Sequence, residues 1–250
     1  SNAFVTVNYD PAGSGAGREA FLSGGTDYAG SDSPLSDEEL AGDFLGCAPG
    51  SSGIDLPLYI SPIAIAFNIE GVDELNLDAA AIANIFAGEI TRWDDPALVE
   101  LNPEASLPAA TITAVHRSDD SGTTQNFTDY LSAAAPDVWT DKAAGVWPAS
   151  LQGENAKGTS GVVKTVTDTP GAVTYADDSA VSGKLGVAQI KVGDSFTKIS
   201  AEAAAKAVDA GKPVEGRAAN DLSIKLDRKT TIAGAYPIVL VSFHVLCTTY

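Results

Sequence analysis

The chain has no methionine, only two cysteines and two histidines, and 15 basic residues against 33 acidic ones among its 250. Each scarcity excludes something. Cys47 and His116 stand far from each other and from His244 and Cys247, so the chain offers no set of four ligands in zinc-like spacing and no metal is expected. A formal net charge of −18 repels phosphodiester backbones and anionic lipid, which excludes nucleic acid and acidic membranes as partners. The longest apolar run, Leu56 to Ile69, carries Pro57 and Pro62 and falls short of the roughly 20 residues a membrane helix needs. There is no GxSxG elbow, His-Glu metal spacing or Walker stretch, and neither histidine has an evident nucleophile partner. The chain therefore reads as a non-enzyme with no cofactor. The missing methionine and the opening Ser-Asn-Ala read as the scar of a removed tag, so the lack of an export signal carries no information.

What is present is enough for a substantial core: 44% hydrophobic residues and three tryptophans, in one large domain or two lobes. Strand-like and helix-like segments alternate, an α/β pattern. Strands are expected at Phe4 to Tyr9, Thr111 to Arg117 and Ala172 to Ala176. Helices are expected around Arg18 to Leu22, from Ser36 to Phe44, from Asp78 to about Gly88, and over Thr123 to Ala134, Gly158 to Thr167 and Ser200 to Ala210. Ser36 with Glu39 forms a capping box, and Asp78 has the position of an N-cap. No repeat or low-complexity linker divides the chain. Two lobes would require several crossings, for which Leu56 to Asn68 and Tyr236 to Cys247 are the candidates. His116 and His244 lie in apolar strand contexts that suit packed histidines, and the two cysteines fit either one disulfide or two buried thiols.

The most informative stretch is HRSDDSGTTQNFTDYL, His116 to Leu131. Arg117 puts a permanent cation just before a hydroxyl-rich helix entrance, where the N–H groups of Ser121, Gly122 and Thr123 lack intrahelical acceptors. That combination holds an oxyanion. Against a net negative surface, it must do so by short-range donors. A second strand-turn-helix entrance, AGSGAG at Ala12 to Gly17, adds Ser14, although such a turn is also an ordinary connection and matches no nucleotide motif.

Asp32 looks misplaced beside an anion, unless the anion carries a proton. An ionised carboxylate only accepts hydrogen bonds, so it would welcome hydrogen phosphate and reject sulfate. The plainer alternative is a turn cap before Pro34. Asp119 either caps the helix or orients Arg117, and Asp120 reads as solvated helix-start chemistry.

YAGSDSPLSDEEL, FAGEITRWDDPALVELNP and HRSDDSGTTQNFTDYL resemble the phosphate-binding proteins that serve high-affinity phosphate ABC transporters. The resemblance runs from VNYDPAGSGAG through GTSGV and PGAVTYAD to YPIVLVSFHVLC, and LPLYISPIAIAFN is most similar to actinobacterial members. It implies a two-lobed α/β fold of the type II periplasmic-binding-protein class, each lobe a sheet flanked by helices. Residues 1–66 plus 237–250 would form lobe 1 and residues 67–236 lobe 2. The matching phosphate ligands are Ser14, Asp32, Arg117, Ser121, Gly122 and Thr123, with Asp119 as the Arg-orienting acid; Asp120 stands where Gly is common.

The resemblance also favours a Cys47–Cys247 disulfide and an exported protein at the cell surface, lipid-anchored in its full-length form. Its partners would be inorganic phosphate and a membrane permease. Relative to the family pattern, an N-terminal strand and C-terminal helices are expected to be missing, leaving lobe 1 incomplete. The alternative that follows is a surface or signalling domain that self-associates through exposed sheet edges.

Overall fold

The computed structural model describes residues 6–181, 183 and 185–250. In chain order the elements are α1 (Ser14–Leu22), β1 (Ala29–Ser31), α2 (Asp37–Leu40), β2 (Gly53–Phe67), β3 (Glu74–Leu77), α3 (Ala79–Ala87), α4 (Pro96–Leu101), β4 (Thr113–Arg117) and α5 (Gly122–Ala134). They continue as β5 (Glu154–Ala156), α6 (Gly158–Asp168), β6 (Ala172–Asp177), β7 (Gly186–Val192), β8 (Ser195–Thr197), α7 (Ala201–Asp209), β9 (Lys212–Pro213), β10 (Ile224–Lys225) and β11 (Val239–Cys247). The α/β pattern read from the sequence is the observed fold class.

The long strand β2 organises the molecule by changing partners. From Gly53 to Pro62 it pairs antiparallel with β11, which in turn pairs with β1. From Ile63 to Phe67 it pairs with β6, and at Ala66 and Phe67 also with β7. β4 lies parallel between β6 and β5, and β3 and β8 flank β7. The two prolines sit where the ladder tolerates them. Pro62 falls at the change of partner, and Pro57 beside a register shift opposite Ser242 and Phe243.

The main core packs Ile63, Ile65 and Phe67 against α3, α5, Trp93 and Tyr175. A smaller core, with Phe21, Leu35, Phe44 and Val245, lies under β1, β11 and α1. Cys47 and Cys247 are disulfide-bonded at its edge, with Cα atoms 5.5 Å apart and 200 residues between them in sequence. Closing so long a loop restricts the unfolded chain by about 5 kcal/mol on chain-entropy grounds.

Most helices begin where their caps put them. Ser36 and Glu39 form the expected capping box, Asp78 accepts from Ala81 N–H, and Gly88 ends α3 in the left-handed conformation at φ 80°. Two expectations are corrected. The helix expected over Ser36 to Phe44 stops at Leu40, because Gly42 N–H turns back to the Glu39 carbonyl and Phe44 is drawn into the smaller core. In the strand expected at Phe4 to Tyr9, Phe4 and Val5 lie outside the described residues and 6–9 are irregular. Val7 and Tyr9 are exposed, and no described strand lies alongside to take up their backbone groups.

The segment around β9 and β10, assigned by sequence to the second lobe, docks on Leu35 and Asp55. Arg217 Nη2 donates to the Leu35 carbonyl (2.6 Å) and Leu222 N–H to the Asp55 carbonyl (2.9 Å). The Asp55 carboxylate accepts from Leu35 N–H (2.9 Å) and Ser223 Oγ (3.3 Å), while its Oδ1 has no partner among the described residues. Burial pushes this carboxyl up to about 6, against the hydrogen bond from Leu35 and with the Asp221 charge adding to the rise, while Arg217 and Ser223 oppose it.

A raised carboxyl binds its proton more tightly in the folded state, so it adds stability below the ordinary carboxylate range. That stability is lost as pH rises through about 6. Asp55→Asn keeps the acceptor for Leu35 and removes the charge. It is expected to melt above wild type at pH 7 to 8, by an upper limit of about 3 kcal/mol, and level with it near pH 4. Melting curves across that range provide the check.

Candidate functional site

Arg117 ends β4, and the chain turns through Ser118, Asp119 and Asp120 into α5. Ser121 is the N-cap: its Oγ accepts from Thr124 N–H at 3.3 Å, so its hydroxyl proton remains free to donate outward. Gly122 and Thr123 are first-turn residues, whose N–H groups have no helical acceptor behind them. Arg117, Ser121 and Thr123 are all buried.

Asp119 does not cap the helix. It faces Arg117, accepting from Nε at 2.7 Å and pairing with Nη2, and its Oδ1 also accepts from Gly158 N–H at 3.0 Å. Burial alone would raise this carboxyl, but the Arg117 hydrogen bonds, the Gly158 N–H and the Arg117 charge outweigh it and hold it below its ordinary value. The guanidinium is thereby locked with its remaining donors directed away from Asp119.

Opposite stands the first helix entrance. Ser14 Oγ accepts from Asp32 N–H at 3.0 Å, which leaves its hydroxyl proton to donate, as at Ser121. The two sides meet closely. A Cβ on Gly122 would lie 2.6 Å from Ser14 Oγ and 2.7 Å from Asp32 Cβ, so only glycine permits this approach. Gly13, at φ 98°, packs against Asp119 and Arg117 in the same way. Burial raises the Asp32 carboxyl; a Ser242 hydrogen bond opposes the rise, Asp177 adds to it and Arg117 counters it.

The two helix entrances therefore form one candidate site: Ser14 and Asp32 lie against Gly122, with Ser121 and Thr123 on either side of it in the chain, and Gly13 lies against Arg117 and Asp119. Several others that shape it were not anticipated. Tyr175 Oη accepts from Arg117 N–H (3.2 Å) and bonds Thr124 Oγ1 (2.7 Å), fixing the strand end behind the cation. Thr159 Oγ1 lies 3.4 Å from Arg117 Nη1. Arg18 is buried and holds Ser31 and Ser33, on either side of Asp32, through Nη1 at 3.2 and 2.7 Å. Tyr175 lies within PGAVTYAD and Thr159 within GTSGV, segments that carried the resemblance but no chemical signal of their own.

Asp120 is exposed; its carboxylate comes within 4.0 Å of Arg18, and its carbonyl accepts from Gly15 N–H at 3.2 Å. His116 stacks on Trp147 (centroids 4.7 Å apart) and His244 tilts against Tyr28 (5.6 Å). Both histidines are half-buried packing residues. Among the described residues there is no cluster of three His, Cys, Asp or Glu able to hold a metal, and no helix long and apolar enough to cross a membrane.

A guanidinium held by Asp119, hydroxyl protons left free on Ser14 and Ser121, and a helix entrance are together able to hold an anion, and a neighbouring carboxylate can accept a proton from one that carries it. The chain belongs to the PBP superfamily, whose domain signature matches residues 1–250. It is similar to the phosphate-binding protein PstS 3 of Mycobacterium tuberculosis, with 39% identity over 250 residues that cover 98% of this chain and 66% of that protein. It thus spans about two thirds of that relative's length. Its fold is similar to that of a high-affinity periplasmic phosphate-binding protein solved with phosphate bound: TM-score 0.72, 21% identity, 98% of this chain and 76% of the other. The phosphate-binding protein of Stenotrophomonas maltophilia gives a TM-score of 0.68 at 24% identity, covering 94% and 70%.

Proposed function

We propose that this chain is an extracytoplasmic solute-binding protein that captures hydrogen phosphate and delivers it to an ABC-type phosphate permease. One observation carries the proposal: Gly122, in the first turn of α5, lies so close to Ser14 and Asp32 that a Cβ there would clash, while Gly13 lies against Arg117 and Asp119, so that the two helix entrances meet. The donors neutralise a dehydrated oxyanion, and Asp32 takes the one proton that phosphate keeps and sulfate lacks. The similarity to a phosphate-binding protein of Mycobacterium tuberculosis supports the same ligand. The phosphate-binding relatives also favour a receptor over an enzyme.

The partner change along β2 supports a hinge between two lobes, 1–66 plus 237–250 and 67–236, with the β9–β10 segment seated on the first. The disulfide suits an exported protein. Calorimetry on protein stripped of ligand is expected to show tight phosphate binding and no sulfate heat at neutral pH. Equal affinity for the two anions, or no phosphate heat, overturns the proposal. A second reading, self-association, is favoured by the exposed apolar row Leu58, Tyr59 and Ile60 on β2. Light scattering that gives a strict monomer eliminates it.

A further inference from the structure

Asn126 lies one turn into α5, and its side-chain amide makes three hydrogen bonds. Nδ2 donates to the Asp32 backbone carbonyl at 2.7 Å and to the Gly122 carbonyl at 2.9 Å, and Oδ1 accepts from Arg228 Nη2 at 2.5 Å. A guanidinium can only donate, so Arg228 determines which end of the amide is oxygen, and the amide nitrogen must face Asp32. Arg228 has no freedom of its own. Its Nε is held by Asp129 at 2.7 Å and its Nη1 by the carbonyls of Pro237 (3.0 Å) and Val239 (2.7 Å), and the side chain is buried.

Asp32 is consequently gripped on both backbone faces, its N–H by Ser14 and its carbonyl by Asn126, and neither bond uses its carboxylate. Ser14 belongs to the same side of the cleft as Asp32, whereas Asn126 reaches it from α5, the helix whose entrance carries Ser121, Gly122 and Thr123. The Asn126 bond therefore joins the two sides.

We propose that Asn126, aimed by Arg228, is a latching residue that holds the two sides together over the bound anion and so sets the lifetime of the complex and not the rate of capture. This rests on the receptor reading given above. Capture is governed by the open form, where the anion meets Arg117 before closure; a contact made only after closure acts on release.

The test is stopped-flow phosphate binding, read by tryptophan fluorescence, with wild type, Asn126→Ala and Asn126→Asp. Asn126→Ala removes one neutral cross-cleft bond and is expected to raise koff about two- to tenfold. Asn126→Asp keeps an acceptor for Arg228 but sets an oxygen against the Asp32 carbonyl, and is expected to raise koff further, with kon in both variants within about twofold of wild type. The Asn126 amide is taken up by the Asp32 and Gly122 carbonyls and by Arg228, so the ratio of phosphate to sulfate binding is expected to stay at the wild-type value.

Unchanged koff in both variants, or a loss carried equally by kon, overturns the latch. A fall in melting temperature of the ligand-free variants, with normal kon and koff in the folded fraction, assigns Asn126 to folding and overturns it as well. If wild type itself binds no phosphate, the receptor reading fails and takes the latch with it. Tight wild-type binding with unaltered variants sinks the latch alone.

Discussion

Asp32→Asn is expected to abolish the preference for phosphate over sulfate, with a change in the affinity ratio of up to about 10⁴. The carboxylate can only accept, so an unprotonated oxyanion placed against it leaves two acceptors face to face in a site closed to water. Asparagine is nearly the same shape and presents N–H donors, which turns that clash into a hydrogen bond. Phosphate affinity is expected to fall modestly, since every donor from Ser14, Arg117 and α5 remains, while sulfate affinity rises. Competition calorimetry with both anions at pH 8 measures the ratio, and an unchanged ratio would mean that Asp32 only caps its turn.

Acidity supplies an internal control on the same idea. Burial raises the Asp32 carboxyl, opposed by Ser242 and Arg117 and reinforced by Asp177, so it takes up a proton at a higher pH than an ordinary carboxylate. Once protonated it can donate, and wild-type discrimination is expected to weaken as pH falls. The asparagine variant has nothing to titrate at this position, so its ratio is expected to be flatter across the same range.

Arg117→Ala is expected to lower phosphate affinity by about 3 to 5 kcal/mol, a factor of roughly 10² to 10⁴. The substitution removes the site's permanent cation and leaves Asp119, half-buried and stripped of its partner, beside the incoming anion. Arg117→Lys is not expected to restore binding. An ammonium at the end of a flexible stem cannot pair with both Asp119 oxygens and still direct further donors at the ligand.

The same ion pair has a signature in stability. Because the Asp119 carboxyl lies below its ordinary value, the pair stabilises the fold above the unfolded carboxylate pKa, and that contribution is lost as pH falls through the folded value. Arg117→Ala is expected to lose this dependence along with binding. Titration at fixed ionic strength, set beside melting curves from pH 2 to 6, separates the two effects. Near-wild-type affinity in the alanine variant would remove Arg117 from the site.

The legible residues share one property: their chemistry is local. A helix entrance announces itself by hydroxyl and glycine residues at its first turn, and Ser121, Gly122 and Thr123 do so immediately after a cation. Ser36 with Glu39, and Asp78 before its alanine-rich run, were readable for the same reason. Asp32 was legible only as an anomaly, a carboxylate where the neighbouring chemistry called for donors. Residues whose partners lie far along the chain gave no such signal. Tyr175 meets Arg117 across 58 positions, Asn126 meets Asp32 across 94, and Arg228 meets Asn126 across 102. Each reads by itself as an unremarked strand, helix or loop residue.

The two misread elements follow the same logic. Alternating apolar residues at 4–9 suggest a strand, but a strand needs a neighbour to hydrogen-bond with, and none is described beside residues 6–9. The helix after Ser36 began where its cap put it and ended early because Phe44 had a core to enter.

The groups able to meet an anion are legible in the residues taken in order: two hydroxyl-bearing helix entrances, one permanent cation, and one carboxylate able only to accept. Those properties belong to the residues and their nearest neighbours along the chain. Which of them lie together is a matter of the folded chain. Ser14 and Asp32 are brought within a Cβ's width of Gly122 by a strand that exchanges β11 for β6 partway along its length, and by a glycine small enough to let the two sides touch. Pairing over such separations depends on the register of whole strands, which no local run of residues encodes.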